Sequence, residues 1–307
     1  MLQPALPSHP CYLNGAYTPL NEAKVSVLDR GFIFGDGVYE VLSVYNGKVF
    51  RFAQHMDRLE RSLRECRIQS PHTRDEWQAI ATKLIAACAY SMLASGQKVT
   101  QNTEKVNAGD YLVYLQVTRG VALRDHVMPQ GITPTAFAMC NPMKPASAEQ
   151  RAKGVACVTA VDFRWDKAHI KSTSLLGAVF ARQISFDADA NETVMFRDGF
   201  LSEAAASNVW VVKNGGVLGV PKDNLVLEGI RYGLIEDICR QQGIGYELRR
   251  ISRAEVLTAD ELLLSSATKE VLPVSLLDGK TIGSGSPGPI YQKLYAGYQQ
   301  AKLTDPH

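Results

Sequence analysis

Among the lysines of this 307-residue chain, Lys171 stands where an amine could be made reactive. It lies between a strand-like run and a helix that opens Ser172-Thr173-Ser174-Leu175-Leu176-Gly177-Ala178. A lysine held at such a junction can be desolvated. Desolvation disfavours the ammonium form and frees the amine to attack a carbonyl. Other features read more plainly. Gly35-Asp36-Gly37 is a tight turn, and no G-x-G-x-x-G or G-x-x-x-x-G-K-[ST] run follows a strand. Taken alone, Glu203 reads as a carboxylate at a strand end, and Arg124-Asp125-His126 as a polar loop after a strand.

The elements around these residues follow from periodicity. Val38 to Tyr45 alternates as a strand should, Asn46-Gly47 is a two-residue hairpin turn, and Lys48 to Phe52 reads as the return strand. Met56, Leu59 and Leu63 set a helix over His55 to Arg67, with Glu60 and Arg64 paired on its outer face. Gly96 to Asp110 is a polar insertion before the strand Tyr111 to Thr118. Pro142 and Pro145 mark residues 141–147 as a linker, which separates a smaller α/β domain (1–140) from a larger one (148–307). The larger domain has strands at Val155 to Val161, Thr193 to Phe196, Asn208 to Lys213 and Glu261 to Ser265. Its helices are Ser174 to Phe186 and Gly229 to Gln242, the second ended by Gly243. Hairpins mixed with helices predict an α+β architecture with mixed sheets.

Composition narrows the function classes. With 46% hydrophobic residues the chain can bury a sizeable core, and a formal net charge of +2 gives no electrostatic case for nucleic acid or an anionic membrane. The six cysteines are scattered, which suits free thiols better than a disulfide framework or a zinc site, and no metal is expected. Met1 to Ala23 lacks Lys and Arg, and the apolar helix Ala79 to Ala94 is too short to span a bilayer. A soluble cytoplasmic protein is the default expectation.

Five blocks in order carry a resemblance. They are Asp29-Arg-Gly-Phe-Ile-Phe-Gly-Asp-Gly-Val-Tyr-Glu40, Ile170-Lys171-Ser172 with Leu175-Leu-Gly-Ala-Val179, and Ser202-Glu203-Ala-Ala-Ala-Ser207-Asn208-Val209. Leu227-Glu-Gly229-Ile230 and Glu261-Leu-Leu-Leu-Ser-Ser266-Ala-Thr268 complete the set. Together they resemble the signatures of fold-type IV pyridoxal-phosphate enzymes, the class IV aminotransferases and their relatives. The resemblance spans nearly the whole chain and implies a two-domain α+β fold.

It also implies roles. Lys171 would hold pyridoxal 5′-phosphate as a Schiff base and shuttle the substrate proton. Glu203 would accept the pyridinium N–H, and Leu227 would pack on a ring face. Gly229, Ile230 and Arg231 open a helix whose N–H groups suit the phosphate, with Arg58, Ser266, Ala267 and Thr268 completing the cradle. Arg231 stands where the family usually has Thr, so its guanidinium meets either the phosphate or solvent. Ala204, Ala205 and Ala206 thin the hydrogen bonding behind the ring.

Thr118-Arg-Gly-Val-Ala-Leu-Arg124-Asp-His126 resembles the D-amino acid aminotransferase segment whose R-x-H pair traps the substrate carboxylate with a tyrosine, here Tyr39. An arginine fork fits a carboxylate, and His or Tyr adds a donor. In that subfamily the pair reaches across a dimer, which implies a homodimer with its active site at the subunit interface. The expected reaction moves amino groups between D-amino acids, such as D-alanine or D-glutamate, and 2-oxo acids such as 2-oxoglutarate or pyruvate. The alternatives on the same fold are a branched-chain or other class IV aminotransferase, an (R)-amine transaminase and aminodeoxychorismate lyase.

Overall fold

The computed structural model describes residues 7–94 and 109–305, so most of the segment from Gly96 to Asp110 lies outside the described residues. The chain divides into two units. One takes residues up to Met143 together with Lys171–Ser174, and the other takes Lys144–Ile170 and Leu175–Asp305.

The first unit runs β1 (Pro10–Leu13), β2 (Ala16–Pro19), α1 (Arg30–Phe34), β3 (Gly37–Tyr45), β4 (Lys48–Val49), α2 (Phe52–Glu65), α3 (Arg74–Ala94), β5 (Tyr111–Thr118) and β6 (Thr135–Pro142). Its six strands form one antiparallel sheet in the order β2-β1-β6-β5-β3-β4. The alternation of β3 sends Val38, Glu40 and Leu42 into the interior and leaves Tyr39 and Val41 half-buried on the other face. Asn46 and Gly47 take φ of 50° and 75°, the left-handed pair that a two-residue hairpin needs.

The return strand is shorter than its sequence suggests. Arg51 adopts φ 55° and starts α2 at Phe52, so only Lys48 and Val49 pair with β3. On α2, Met56, Leu59 and Leu63 are buried, and so are His55, Arg58 and Ser62. Glu60 pairs with Arg74 at 2.6 Å rather than with Arg64. β6 has small inward residues, Ala136, Ala138 and Cys140, and packs against α3.

The second unit adds α4 (Ala148–Lys153), β7 (Val155–Val161), α5 (Leu176–Asp187), β8 (Glu192–Arg197), β9 (Phe200–Ala204), β10 (Asn208–Lys213), β11 (Gly216–Gly219), α6 (Arg231–Gln242), β12 (Tyr246–Leu248), α7 (Arg253–Leu257), β13 (Glu261–Ser266), β14 (Glu270–Leu277), β15 (Lys280–Thr281) and α8 (Pro289–Thr304). The sheet order is β12-β11-β10-β13-β14-β7-β8-β9, with β15 on β14. β7 lies parallel to both β14 and β8, while β10, β13 and β14 run antiparallel, so the sheet is mixed. Trp210, fully buried, donates its indole N–H to Ser265 Oγ at 2.9 Å. α6 ends at Gly243 (φ 65°), whose N–H returns to the carbonyls of Arg240 and Cys239.

The architecture is α+β with one antiparallel and one mixed sheet. Among the described residues no helix is long and apolar enough to cross a membrane, and no His, Cys, Asp or Glu cluster is placed to hold a metal ion.

Candidate active site

In the first unit, Lys171 is held by its backbone. Its carbonyl accepts the Tyr39 N–H at 2.9 Å, Thr173 N–H donates to Gly37 O at 2.9 Å, and Val38 bridges Ser172. Lys171 N–H also donates to Ser62 Oγ at 3.3 Å. The Lys171 Nζ lies 4.2 Å from the centre of the Tyr39 ring, and Tyr39 stacks on Tyr114 at 5.6 Å. Burial and then the Tyr39 neighbour push the Tyr114 phenol up to about 12, so it stays protonated and donates to Gln116 Oε1 at 2.7 Å.

Arg58 lies one helical turn before Ser62 on the same face of α2. It forms a two-pronged pair with Glu40 at 2.7 and 2.8 Å, and His55 Nδ1 lies 2.8 Å from the same carboxylate. Glu40 is fully buried, which alone would raise its pKa. The Arg58 charge and the hydrogen bonds from Arg58 and His55 outweigh that and hold it far below the usual carboxylate range.

Arg124 and His126 are exposed and share one platform. The Phe34 ring lies 5.4 Å from the Arg124 guanidinium carbon and 5.3 Å from the His126 ring. Among the described residues, no hydrogen bond or ring contact joins this pair to Tyr39.

In the second unit, β9 places Glu203 in a buried network. One carboxylate oxygen takes a short bond from Arg164 Nη1, and the other accepts Asn208 Nδ2 at 3.2 Å and Leu227 N–H at 3.3 Å. Arg164 also forks onto Asp162 at 2.9 and 2.8 Å. Burial pushes the Glu203 carboxyl up to about 7 against the pull of Arg164 and the Leu227 N–H. Asn208 donates to Leu227 O at 2.9 Å as well, and a Cβ on Gly229 would fall 2.1 Å from Asn208 Oδ1. Only glycine allows that approach.

Gly229 and Ile230 lead into α6, whose N-terminus carries no side-chain cap. Arg231 turns inward: its guanidinium reaches Tyr298 Oη at 3.2 Å and Ala267 O at 3.5 Å, and the residue is buried. It therefore braces the Ser266–Thr268 loop from behind. Those three residues are half-buried. Beside them Lys269 Nζ donates to Glu192 Oε2 and Ser207 Oγ, both at 2.8 Å, while Ser207 donates to Glu192 at 2.9 Å.

Residues 37–277 match the family model of amino-transferase class IV. The chain belongs to the class IV aminotransferases. A D-alanine aminotransferase of Bacillus licheniformis is 35% identical over 292 residues, covering 95% of this aminotransferase and 96% of the relative. A branched-chain amino acid aminotransferase of T.th., solved with pyridoxamine 5′-phosphate, superposes with TM-score 0.83 at 21% identity, covering 98% of this aminotransferase and 96% of that chain. A fold IV-transaminase of Curtobacterium pusillum gives TM-score 0.75 at 22% identity, covering 94% and 93%.

Several residues of the aminotransferase's two clusters escaped the sequence reading. Arg164, Asp162 and Asn208 surround Glu203, while Glu40, His55 and Ser62 surround Arg58 and Lys171. Glu40 was visible in principle, since an acid in the inward register of Val38 and Leu42 must find a cation. Arg164 gave no signal of its bond to Glu203, which lies 39 residues away.

Proposed function

We propose that this aminotransferase exchanges amino groups between D-amino acids and 2-oxo acids. The observation that carries the reading is the Arg124–His126 pair on its Phe34 platform, set in a chain 35% identical to a D-alanine aminotransferase. A two-pronged guanidinium with an adjacent imidazole suits an α-carboxylate. That ligand gives the enzyme a reason to select amino acids over simple amines.

The cofactor is pyridoxal 5′-phosphate, and the residues fit it. Lys171 offers the amine. Glu203 offers a buried acceptor whose proton affinity, near pH 7, suits sharing a proton with a ring nitrogen. Gly229 leaves room where any side chain would collide, and the uncapped start of α6 offers N–H groups to a dianion. Arg58 brings a guanidinium, and Arg231 holds the Ser266–Thr268 loop. When bound, the cofactor withdraws electrons from the substrate Cα.

The chain's own groups do the rest. Arg124, His126 and Tyr39 orient the carboxylate and so decide which Cα–H faces the lysine. Lys171 Nζ takes that proton and returns it as general base and then acid. Arg164 and Asn208 keep Glu203 aimed.

The same reading requires a second copy. Arg124 and His126 do not meet Tyr39 in their own chain, and apolar side chains stand exposed around them: Leu123 (82%), Val127 (72%) and Phe32 (71%). The second unit exposes Leu176, Val179 and Phe180 on α5 with Val161, Phe163 and Trp165. Surfaces of this kind mark an association face, and a homodimer would set one chain's carboxylate trap at the other's lysine.

A half-reaction panel of D- and L-amino acids, followed by cofactor absorbance, tests the function. Reaction with D-alanine and little with L-alanine or L-leucine is expected; preference for the L series overturns it. Lys171→Ala should abolish turnover. Sedimentation should give a dimer mass.

A further inference from the structure

Arg124 and His126 lie on a loop without secondary structure of its own. The preceding segment holds its beginning: Arg30 N–H donates to Gly120 O at 2.9 Å, Asp29 bridges Val121, and Ala122 N–H donates to Leu28 O at 3.3 Å. Further along, a side chain takes over. Arg30 Nη1 donates at 2.5 Å to the carbonyl of Asp125, the residue between Arg124 and His126.

Arg30 is itself fixed. It is buried, and its Nε donates to Asp36 Oδ2 at 2.7 Å. Asp36 is gripped by Arg119 at 2.7 and 3.0 Å, and Arg119 is tied to the carbonyls of Cys66 and Arg67 beyond α2. One turn along α1, Phe34 lies 4.8 Å from the Arg30 guanidinium carbon while also touching Arg124 and His126. A short helix thus supplies both a backbone anchor and an aromatic floor to the same pair.

We infer that Arg30 and Phe34 are positioning residues for substrate carboxylate binding, acting through Arg124 and His126. The inference rests on the carboxylate reading of that pair. An exposed arginine on an unanchored loop must lose its rotamer freedom on each binding event. Fixing the loop backbone and seating the side chain beforehand lowers that loss, so the contribution belongs in substrate affinity.

The test compares Arg30→Met, Phe34→Leu and Arg124→Ala holoenzymes on D-alanine and on a primary amine without a carboxylate. All three should raise KM for D-alanine about tenfold with kcat little changed, and Arg30→Met and Phe34→Leu should leave turnover of the amine at the wild-type level. Arg30→Met added to Arg124→Ala should do no further damage. If Arg124→Ala raises KM while Arg30→Met and Phe34→Leu do not, the positioning role is overturned. If Arg124→Ala itself has no effect, the carboxylate reading fails and takes this inference with it. Equal losses on the amine would mean general structural damage and would also overturn the inference. Should Arg30→Met not fold, Phe34→Leu decides, because it leaves the Arg30–Asp36 pair intact.

Discussion

Arg164 donates to Asp162 and to Glu203 from a single guanidinium, so two carboxylates 41 residues apart in sequence share one cation. Burial and, more weakly, the Asp162 charge push Glu203 up, and Arg164 is the largest group pulling it back. Arg164→Met should therefore move the Glu203 titration to higher pH. On the proposed role, in which an ionised Glu203 accepts a ring N–H, the acid limb of the activity profile should move with it. Asp162 would keep the backbone N–H of residue 164 at 3.1 Å and Arg197 at 3.5 Å. Removing one partner of a buried ion pair costs about 3–5 kcal/mol, measurable by urea unfolding. An unchanged pH–rate profile would show that Arg164 does not tune Glu203.

The Glu40–Arg58 pair gives the opposite pH signature. Glu40 titrates far below its ordinary value of 4.5 when folded. Its contribution to stability is complete above about pH 4.5 and fades as pH falls through the folded value. Glu40→Gln should remove that fading and lower stability at neutral pH, because Arg58 loses its carboxylate. Unfolding free energies between pH 3 and 7 would reveal a flatter slope; an identical slope counts against the assignment.

Gly229→Ala places a methyl group 2.1 Å from Asn208 Oδ1. Asn208 must then leave Glu203 and Leu227. Overpacking of this kind costs about 1–3 kcal/mol, so cofactor affinity should fall about tenfold or more. Fluorescence titration of the apoenzyme with pyridoxal phosphate measures it, and full affinity would mean that Asn208 can move freely.

Lys269→Met would remove the ammonium paired with Glu192, which is completely buried. A loss of about 3 kcal/mol is expected, and Glu192→Gln on the same background should recover most of it. Additive losses in that double-mutant cycle would show that the two side chains are not coupled.

The parts of the fold legible in sequence are those set by short-range rules. Asn46-Gly47 turns as its residue types require, β3 alternates, and Gly243 ends α6. β6 was hidden because Ala136 and Ala138 have weak strand preference, and it exists through pairing with β5. Pro273 obscured β14, which nevertheless pairs with β13 from Glu270 to Val274. Of the proposed site, Lys171 and Glu203 stood out in the sequence through their blocks. The bonds around them were not, because Arg164 reaches Glu203 across 39 residues of sequence and Lys269 reaches Glu192 across 77.

The stitching of Lys171 and Thr173 to β3 fixes more than a distance. Side chains on a strand change face with every residue, so one amino acid gained or lost between Gly37 and the Asn46-Gly47 turn would turn Tyr39 inward and present Glu40 to the lysine. The aromatic neighbour of the amine would become an acid, and Arg58 would lose its partner in the same stroke. This hairpin can trade residues far more safely than it can change its length.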